Sequence, residues 1–307
     1  MKAFSSNRIR SSEITPESVF RSRRDFIKLA GVAAAGGILA ACSPGSKGTS
    51  APRTPAPTQT PYPDVLTPLD SVTHYNNYYE FTISKSGVAD LSKNFTTSPW
   101  DVQVSGLCDN PQTFSMEQIL TMFPSQERIY RMRRVEDWSM VIPWDGFPLS
   151  QILNAVKPTS EAKYVKFTGT LDPAEMPSQQ YYYYPWPYLE GLRMDEAMHD
   201  LTILATGLYG KPLEPQCGAP IRVVVPWKYG YKSIKAIKKI ELVANQPSTF
   251  WNTLNPGIYG FYSNVTPRLD ATEQRIGESF RRPTLDFNGY ADQVANLYTG
   301  MDLGIYS

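Results

Sequence analysis

Between Trp100 and Gly106, Val102 and Val104 alternate with polar neighbours, the period-two pattern of a strand with one buried face. The same period returns from Tyr164 to Thr168, where Val165 and Phe167 take one face and Tyr164, Lys166 and Thr168 the other. Glu127 to Arg133, Ile203 to Tyr209, Ile221 to Pro226 and Ala236 to Val243 are further strand-length runs. Helical spacing occurs only in short pieces. Ser115 to Phe123 has Ser115 or Thr113 as a cap and Pro124 past its end, Leu149 to Val156 is ended by Pro158, and Ala291 to Tyr298 lies near the C-terminus. Pro143-Trp144-Asp145-Gly146 reads as a turn. The prolines of the Tyr181 to Pro187 run exclude a helix or central strand, leaving a loop that either packs its aromatics or offers them to a protein substrate. Short strands interleaved with short helices predict an α+β fold rich in mixed sheet.

Composition agrees and narrows the partners. The chain has 307 residues, 41% of them hydrophobic, and its 26 Pro suit a loop-rich domain. A formal charge of +1 hides an uneven distribution: residues 1–42 carry seven Lys and Arg against three Asp and Glu, which leaves 23 against 26 for the rest. No basic footprint for nucleic acid remains. Three cysteines and two histidines cannot supply the paired spacings of a Cys/His zinc site.

The beginning of the chain reads as an address. Ser22-Arg23-Arg24-Asp25-Phe26-Ile27-Lys28 has the twin-arginine export pattern, and the apolar run Leu29 to Ala41 after it is too short for a stable membrane anchor. Leu39-Ala40-Ala41-Cys42 matches the bacterial lipobox, so the expectation is a protein tethered outside the cytoplasmic membrane through lipidated Cys42; release in soluble form and a small surface helix are the alternatives. Residues 43–66, with prolines at 44, 52, 55, 57, 61 and 63, form an extended linker. One domain, 67–307, follows, with no internal repeat.

Candidate chemistry concentrates in three stretches. Tyr130 to Met140 holds three arginines, two acids, two aromatics and two methionines, more charge beside apolar bulk than an ordinary buried strand carries. Gln216 to Lys235 alternates glycines and aromatics with Arg222, Lys228, Lys232 and Lys235, a composition able to grip a phosphate-bearing ligand or simply to form a basic surface loop. His74-Tyr75-Asn76-Asn77-Tyr78-Tyr79-Glu80-Phe81 is either a tyrosine-rich edge strand or a pocket wall.

All three stretches resemble, over about Thr67 to Leu303, the catalytic subunits of the periplasmic protein-methionine-sulfoxide reductases, molybdopterin enzymes with the sulfite-oxidase type of fold. The resemblance implies a single pyranopterin dithiolene holding molybdenum, reduction of a protein-bound or small-molecule sulfoxide, and electrons from a membrane haem b subunit that oxidises quinol. It places Asn76, Tyr79 and Glu80 in the pterin pocket, Arg222 at a cofactor phosphate, and Ser233, Ile234 and Lys235 in a contact loop. Glu136 falls where the family has an acid close to the metal, the candidate for proton delivery.

Three departures cluster at the same place. Arg134 occupies the position of the metal-ligating cysteine, Cys217 that of a cofactor-contacting asparagine, and Gly169 that of a contacting threonine. A guanidinium offers only donors and cannot replace a thiolate ligand. Three expectations stay open at this point. The chain is a sulfoxide reductase; or it is one whose metal is ligated by Cys217 instead; or it is a lipid-anchored, non-catalytic binder of cofactor or anion in which Arg131, Arg133 and Arg134 hold the anion, although strand alternation turns Arg134 away from the other two. A disulfide between Cys108 and Cys217 is compatible with export. Ser139 lacks a nucleophile elbow and neither histidine has a triad context, so a hydrolase is not supported.

Overall fold

The alternating strands assemble into two sheets. The computed structural model describes residues 64–303, so the twin-arginine segment, Cys42 and the linker as far as residue 63 lie outside the described residues. The first sheet has the order β2-β1-β10-β5-β6, with β1 (Asp101–Gly106), β2 (Gln112–Ser115), β5 (Tyr164–Gly169), β6 (Leu189–Arg193) and β10 (Ile237–Val243). Val102 and Val104 of β1 and Val165 and Phe167 of β5 are all buried, as their period-two spacing requires. The pair β1 and β10 is parallel and joins residues more than 130 apart, while β1 with β2, β10 with β5 and β5 with β6 are antiparallel.

The second sheet carries the site. Its central strand is β4 (Trp138–Pro148), flanked by β3 (Gln126–Arg133), β7 (Ile203–Leu208) and β11 (Thr272–Arg275), with β8 (Lys211–Pro212), β9 (Arg222–Val224) and β12 (Arg281–Pro283) outside them. Met140, Val141, Ile142 and Trp144 are buried without alternation because both faces of β4 are covered. The two sheets and their covering helices share one apolar core.

Two local readings change. Pro143-Trp144-Asp145-Gly146 is not a turn but the interior of β4, paired throughout with β3. Pro143 fits there because the flank opposite β3 has a gap: β11 pairs only with Trp138 and Ser139, and β7 only from Trp144 onward. Gly146 marks a register shift against β7, and its missing side chain lets the two backbones close up. The run 74–81 is no edge strand either. Helix Leu69–His74 ends in it, and only an isolated bridge, Tyr78 to Thr82, follows.

The helices Met116–Met122 and Leu149–Val156 stand where their spacing places them. Ser115 caps the first in a reciprocal box with Gln118. The C-terminal helix begins at Ala291 as expected, but it tightens into a 3₁₀ turn from Ala295. Among the described residues no helix is long and apolar enough to cross a membrane.

A Cβ at position 146 would lie 2.4 Å from the Leu204 carbonyl oxygen and 2.8 Å from Ala205 Cα, both backbone atoms that cannot swing aside. Gly146→Ala is therefore expected to destabilise the fold by about 1–3 kcal/mol, read as a lower midpoint in urea unfolding; an unchanged midpoint contradicts the close approach described.

Candidate active site

The β3–β4 hairpin turns through residues 134–137, and Arg134 N donates to Trp138 O at 2.9 Å to close it. Asp137 adopts a left-handed conformation (φ 74°). Its carboxylate accepts from Arg133 at 3.2 Å and from Arg281 at 2.6 Å. Arg133 is wholly buried; besides Asp137 it donates to the Arg134 carbonyl at 2.9 Å and pairs with Glu273 at 3.4 Å. Arg131 leaves in another direction, to Asp64 at 2.7 Å. Arg133 thus pins the hairpin tip while Arg131 is held by Asp64, and neither shares an anion with Arg134, so a joint site of Arg131, Arg133 and Arg134 does not form.

Arg134 points the other way. It lines two cavities that have Asn77, Arg134 and Lys235 in common. Its guanidinium lies 5.6 Å from the centre of the Trp138 ring and makes no hydrogen bond or ion pair among the described residues. Two more cations join it at the same walls. Arg222, buried at the start of β9, donates to the carbonyls of Cys217 at 2.8 Å and Ser233 at 3.0 Å and lies 4.9 Å from the Trp144 ring centre. Lys235 Nζ donates to the carbonyls of Gln216 at 2.7 Å and Asn77 at 3.1 Å, and sits 4.4 Å from the Tyr78 ring centre. Each cation rests on an aromatic face, and none is ion-paired to a carboxylate among the described residues.

Two glycines make room for their stems. At Gly218 (φ 103°) a Cβ would fall 2.8 Å from Lys235 Cγ and 3.2 Å from Arg222 Cδ. At Gly230 it would fall 2.7 Å from a terminal nitrogen of Arg134. Mutual crowding shows in protonation. Burial, then the Arg222 charge, drives Lys235 well below its ordinary value, and burial brings Arg222 down to about 10.

The remaining candidates take defined places. Tyr79, Glu80, Glu136, Ser233 and Ile234 line the first cavity, and Asn76 and Cys217 the second. Gly169 stands one layer behind, 3.5 Å from the Lys235 carbonyl measured from an added Cβ, and lines neither. Ser233 uses its hydroxyl to accept from Val225 N, fixing the loop. Glu136 Oε1 accepts from Asn77 Nδ2 at 2.7 Å and lies 3.8 Å from Lys85, while Oε2 is buried without a partner.

Cys217 is buried, and desolvation pushes its thiol up to about 11, against the pull of Lys235 and Arg222. The thiol, not the thiolate, is the form this cavity favours at neutral pH. Arg134 is not among the charges that lower it. Cys108 and Cys217 are both free.

Asn77, Trp138, Trp144, Tyr188, Trp251 and Tyr259 complete the walls and were not singled out by sequence. Asn77 had a signal in the doubled amide of the 74–81 run; Trp251 and Tyr259, from a segment without pattern, had none.

The polar lining, cations with unpartnered donors and acceptors, matches an organic anion that carries N–H groups of its own rather than a bare metal. Asn76 Oδ1, Asn77 Oδ1, the Tyr78 hydroxyl, Glu136 Oε2 and the indole nitrogens of Trp138 and Trp144 are buried with no hydrogen-bond partner among the described residues, and all belong to cavity-lining residues. Left unsatisfied, each costs about 1–3 kcal/mol. Together with three cations, two bonded only to carbonyls and Arg134 with no bond among the described residues, they suit a pterin carrying phosphate and sulfur anions. A protein ligand for a metal is another matter: the described residues contain no cluster of three His, Cys, Asp or Glu, and Arg134 has no lone pair to give.

Glu80 gives a pH test. Its carboxyl is buried, and desolvation raises it from 4.5 to about 7. The folded state therefore binds the extra proton between these values, so this part of the stability is present below about 4.5 and fades as pH rises to about 7. Glu80→Gln is expected to lose that dependence, its stability relative to wild type rising across the window. Parallel urea midpoints from pH 4.5 to 7 would contradict the assignment.

Comparison with known proteins follows the same residues. The family model described as oxidoreductase molybdopterin binding domain matches residues 89–251. The chain is 50% identical to the protein-methionine-sulfoxide reductase catalytic subunit MsrP of Xanthomonas axonopodis pv. citri, over 95% of this chain and 96% of that one. It is 47% identical to the protein of the same name from Burkholderia mallei, over 99% and 97%. Among solved structures, the sulfane dehydrogenase SoxCD of Paracoccus pantotrophus gives a partial likeness, with TM-score 0.43, 19% identity, and 53% and 41% of the two chains covered.

Proposed function

Since the chain belongs to the family of protein-methionine-sulfoxide reductase catalytic subunits, we propose that its pocket binds molybdopterin and reduces the sulfoxide of oxidised methionine in exported proteins. The observation that carries this reading is the cradle of Arg134, Arg222 and Lys235, three cations with no carboxylate partner among the described residues, around cavities rich in unsatisfied polar atoms. Asn76, Tyr79, Glu80, Arg222 and the loop 233–235 would hold the cofactor. When bound, it supplies the oxygen-accepting, two-electron chemistry.

The protein's share is binding and proton supply. Breaking the S–O bond restores the thioether and releases the oxygen as water, which consumes two protons and two electrons. Glu136 Oε2, buried and unpartnered, is the atom to present a proton, while Asn77 fixes the other oxygen. Glu80, held at about 7, stores a second within the same cavity. Tyr79, packed 5.0 Å from Trp251 and 6.4 Å from Tyr184, offers an aromatic wall to a methionine side chain. That wall continues outward through Tyr184, 4.4 Å from Tyr183, to the exposed Tyr181 and Tyr182. A row of aromatics from cavity to rim suits a segment of protein chain better than a free amino acid.

Location and electron supply complete the proposal. Export by the twin-arginine signal, lipidation of Cys42 and the proline-rich linker would keep the domain at the outer face of the cytoplasmic membrane. A membrane haem b subunit drawing on quinol would deliver the electrons there.

The test is turnover of an oxidised protein by the cofactor-loaded enzyme, with a reduced viologen dye as electron donor. Regenerated methionine supports the proposal; loaded protein that leaves the sulfoxide untouched refutes it. In the same assay Glu136→Gln is expected to lower kcat by about 100-fold with KM little changed, and an unaltered kcat removes Glu136 from the proton path.

A further inference from the structure

Arg134 holds the position at which a thiolate would tie the cofactor's metal to the protein, so retention of the cofactor needs another source. Resting on the proposed molybdopterin site, we infer that Arg134 retains the cofactor by charge: its guanidinium pairs with anionic atoms of the pterin, and retention no longer depends on a protein-to-metal bond. Four observations meet here. The guanidinium has no hydrogen-bond or ion-pair partner among the described residues, although it carries a full charge. It lines both cavities, the first with Glu136 and the second with Arg222, and Lys235 lines both with it. Gly230 leaves its stem the space to lie there, since any Cβ would collide with it. Its backbone is fixed at both ends, the carbonyl by Arg133 and the N–H by bonding to Trp138 O.

The electrostatics require an anion. Three like charges crowd one another in a partly desolvated space, and Lys235 and Arg222 are driven down by that crowding as well as by burial. A ligand with several negative atoms relieves all three at once, through charge-assisted hydrogen bonds. The nearby carboxylates do not perform this task. Glu136 forms its ion pair with Lys85 and with none of the three cations, and Glu80 is half neutral near pH 7. The pterin supplies the anion at both of its charged ends, phosphate and dithiolene sulfur. A hydrogen bond from a charged donor then replaces a coordinate bond.

Pterin and molybdenum are measured separately, pterin as the fluorescent product of acid and iodine oxidation and molybdenum by mass spectrometry. The full-length chain is isolated from cells that make the cofactor, grown with ample or with limiting molybdate. Wild type is expected to carry pterin under both conditions. Arg134→Ala should lose about tenfold of its pterin, Arg134→Lys should keep most of it, and Arg134→Cys should hold pterin only where molybdate is ample. The lysine variant separates loss of charge from loss of folding, and the unfolding midpoint of each variant is compared with wild type.

Equal pterin in Arg134→Ala and wild type overturns the inference, as does a wild type that loses its pterin when molybdate is limiting. Absence of pterin from every form, Arg134→Cys in ample molybdate included, overturns instead the cofactor site on which the inference rests.

Discussion

Three cations brought together without an ion-pair partner among the described residues are the constraint around which this molecule is built. Like charges in a desolvated pocket oppose folding, and a chain tolerates them only where surrounding packing overdetermines their positions. Here each charged head lies over an aromatic ring and each stem passes through the space of a missing side chain, at Gly218 for Arg222 and Lys235 and at Gly230 for Arg134. Carbonyl oxygens, not carboxylates, satisfy the two deepest heads. The arrangement is unfavourable alone and favourable with an anion, which is what a binding site requires.

The rest of the second sheet keeps that arrangement rigid. Arg133 and Asp137 look like site residues by position, yet they serve the hairpin tip: one bonds the Arg134 carbonyl and the other ties the turn to Arg281. A second buried network, Lys228 with Glu196, Asn264 and Tyr298, fastens the segment just before the 230–235 loop to the C-terminal helix. Stability and function are therefore divided among neighbouring basic residues, with Arg133 and Lys228 paired for structure and Arg134, Arg222 and Lys235 left for a ligand.

Much of the frame was legible because burial imposes a period. Val102 with Val104, and Val165 with Phe167, declared the faces of β1 and β5, and Ser115, one of two cap candidates with Thr113, declared a helix start. What failed was punctuation. Pro143 and Gly146 usually interrupt strands, but here a gap between two partner strands admits the proline and a close backbone approach demands the glycine; both causes lie in tertiary pairing. The parallel union of β1 and β10 is equally invisible in local pattern. At the site, the motif resemblance located Arg222, Lys235, Glu80 and Glu136, and all of them line the cavities. Strand alternation already turned Arg134 away from Arg131 and Arg133, but nothing in the sequence showed that Trp251 and Tyr259 close the wall from a distant loop. Cys217 illustrates the same limit. Its position beside the cavity was legible, but desolvation, which favours the thiol, is a property of the packed state.

The account stands on an anion being held between Arg134, Arg222 and Lys235, and a crystal structure of the exported protein tests it most directly. It predicts electron density for a pterin whose charged atoms lie within hydrogen-bonding distance of all three side chains, with Arg134 still inside the cavity over Trp138. A structure in which Arg134 swings out to solvent while another group holds the cofactor would contradict it.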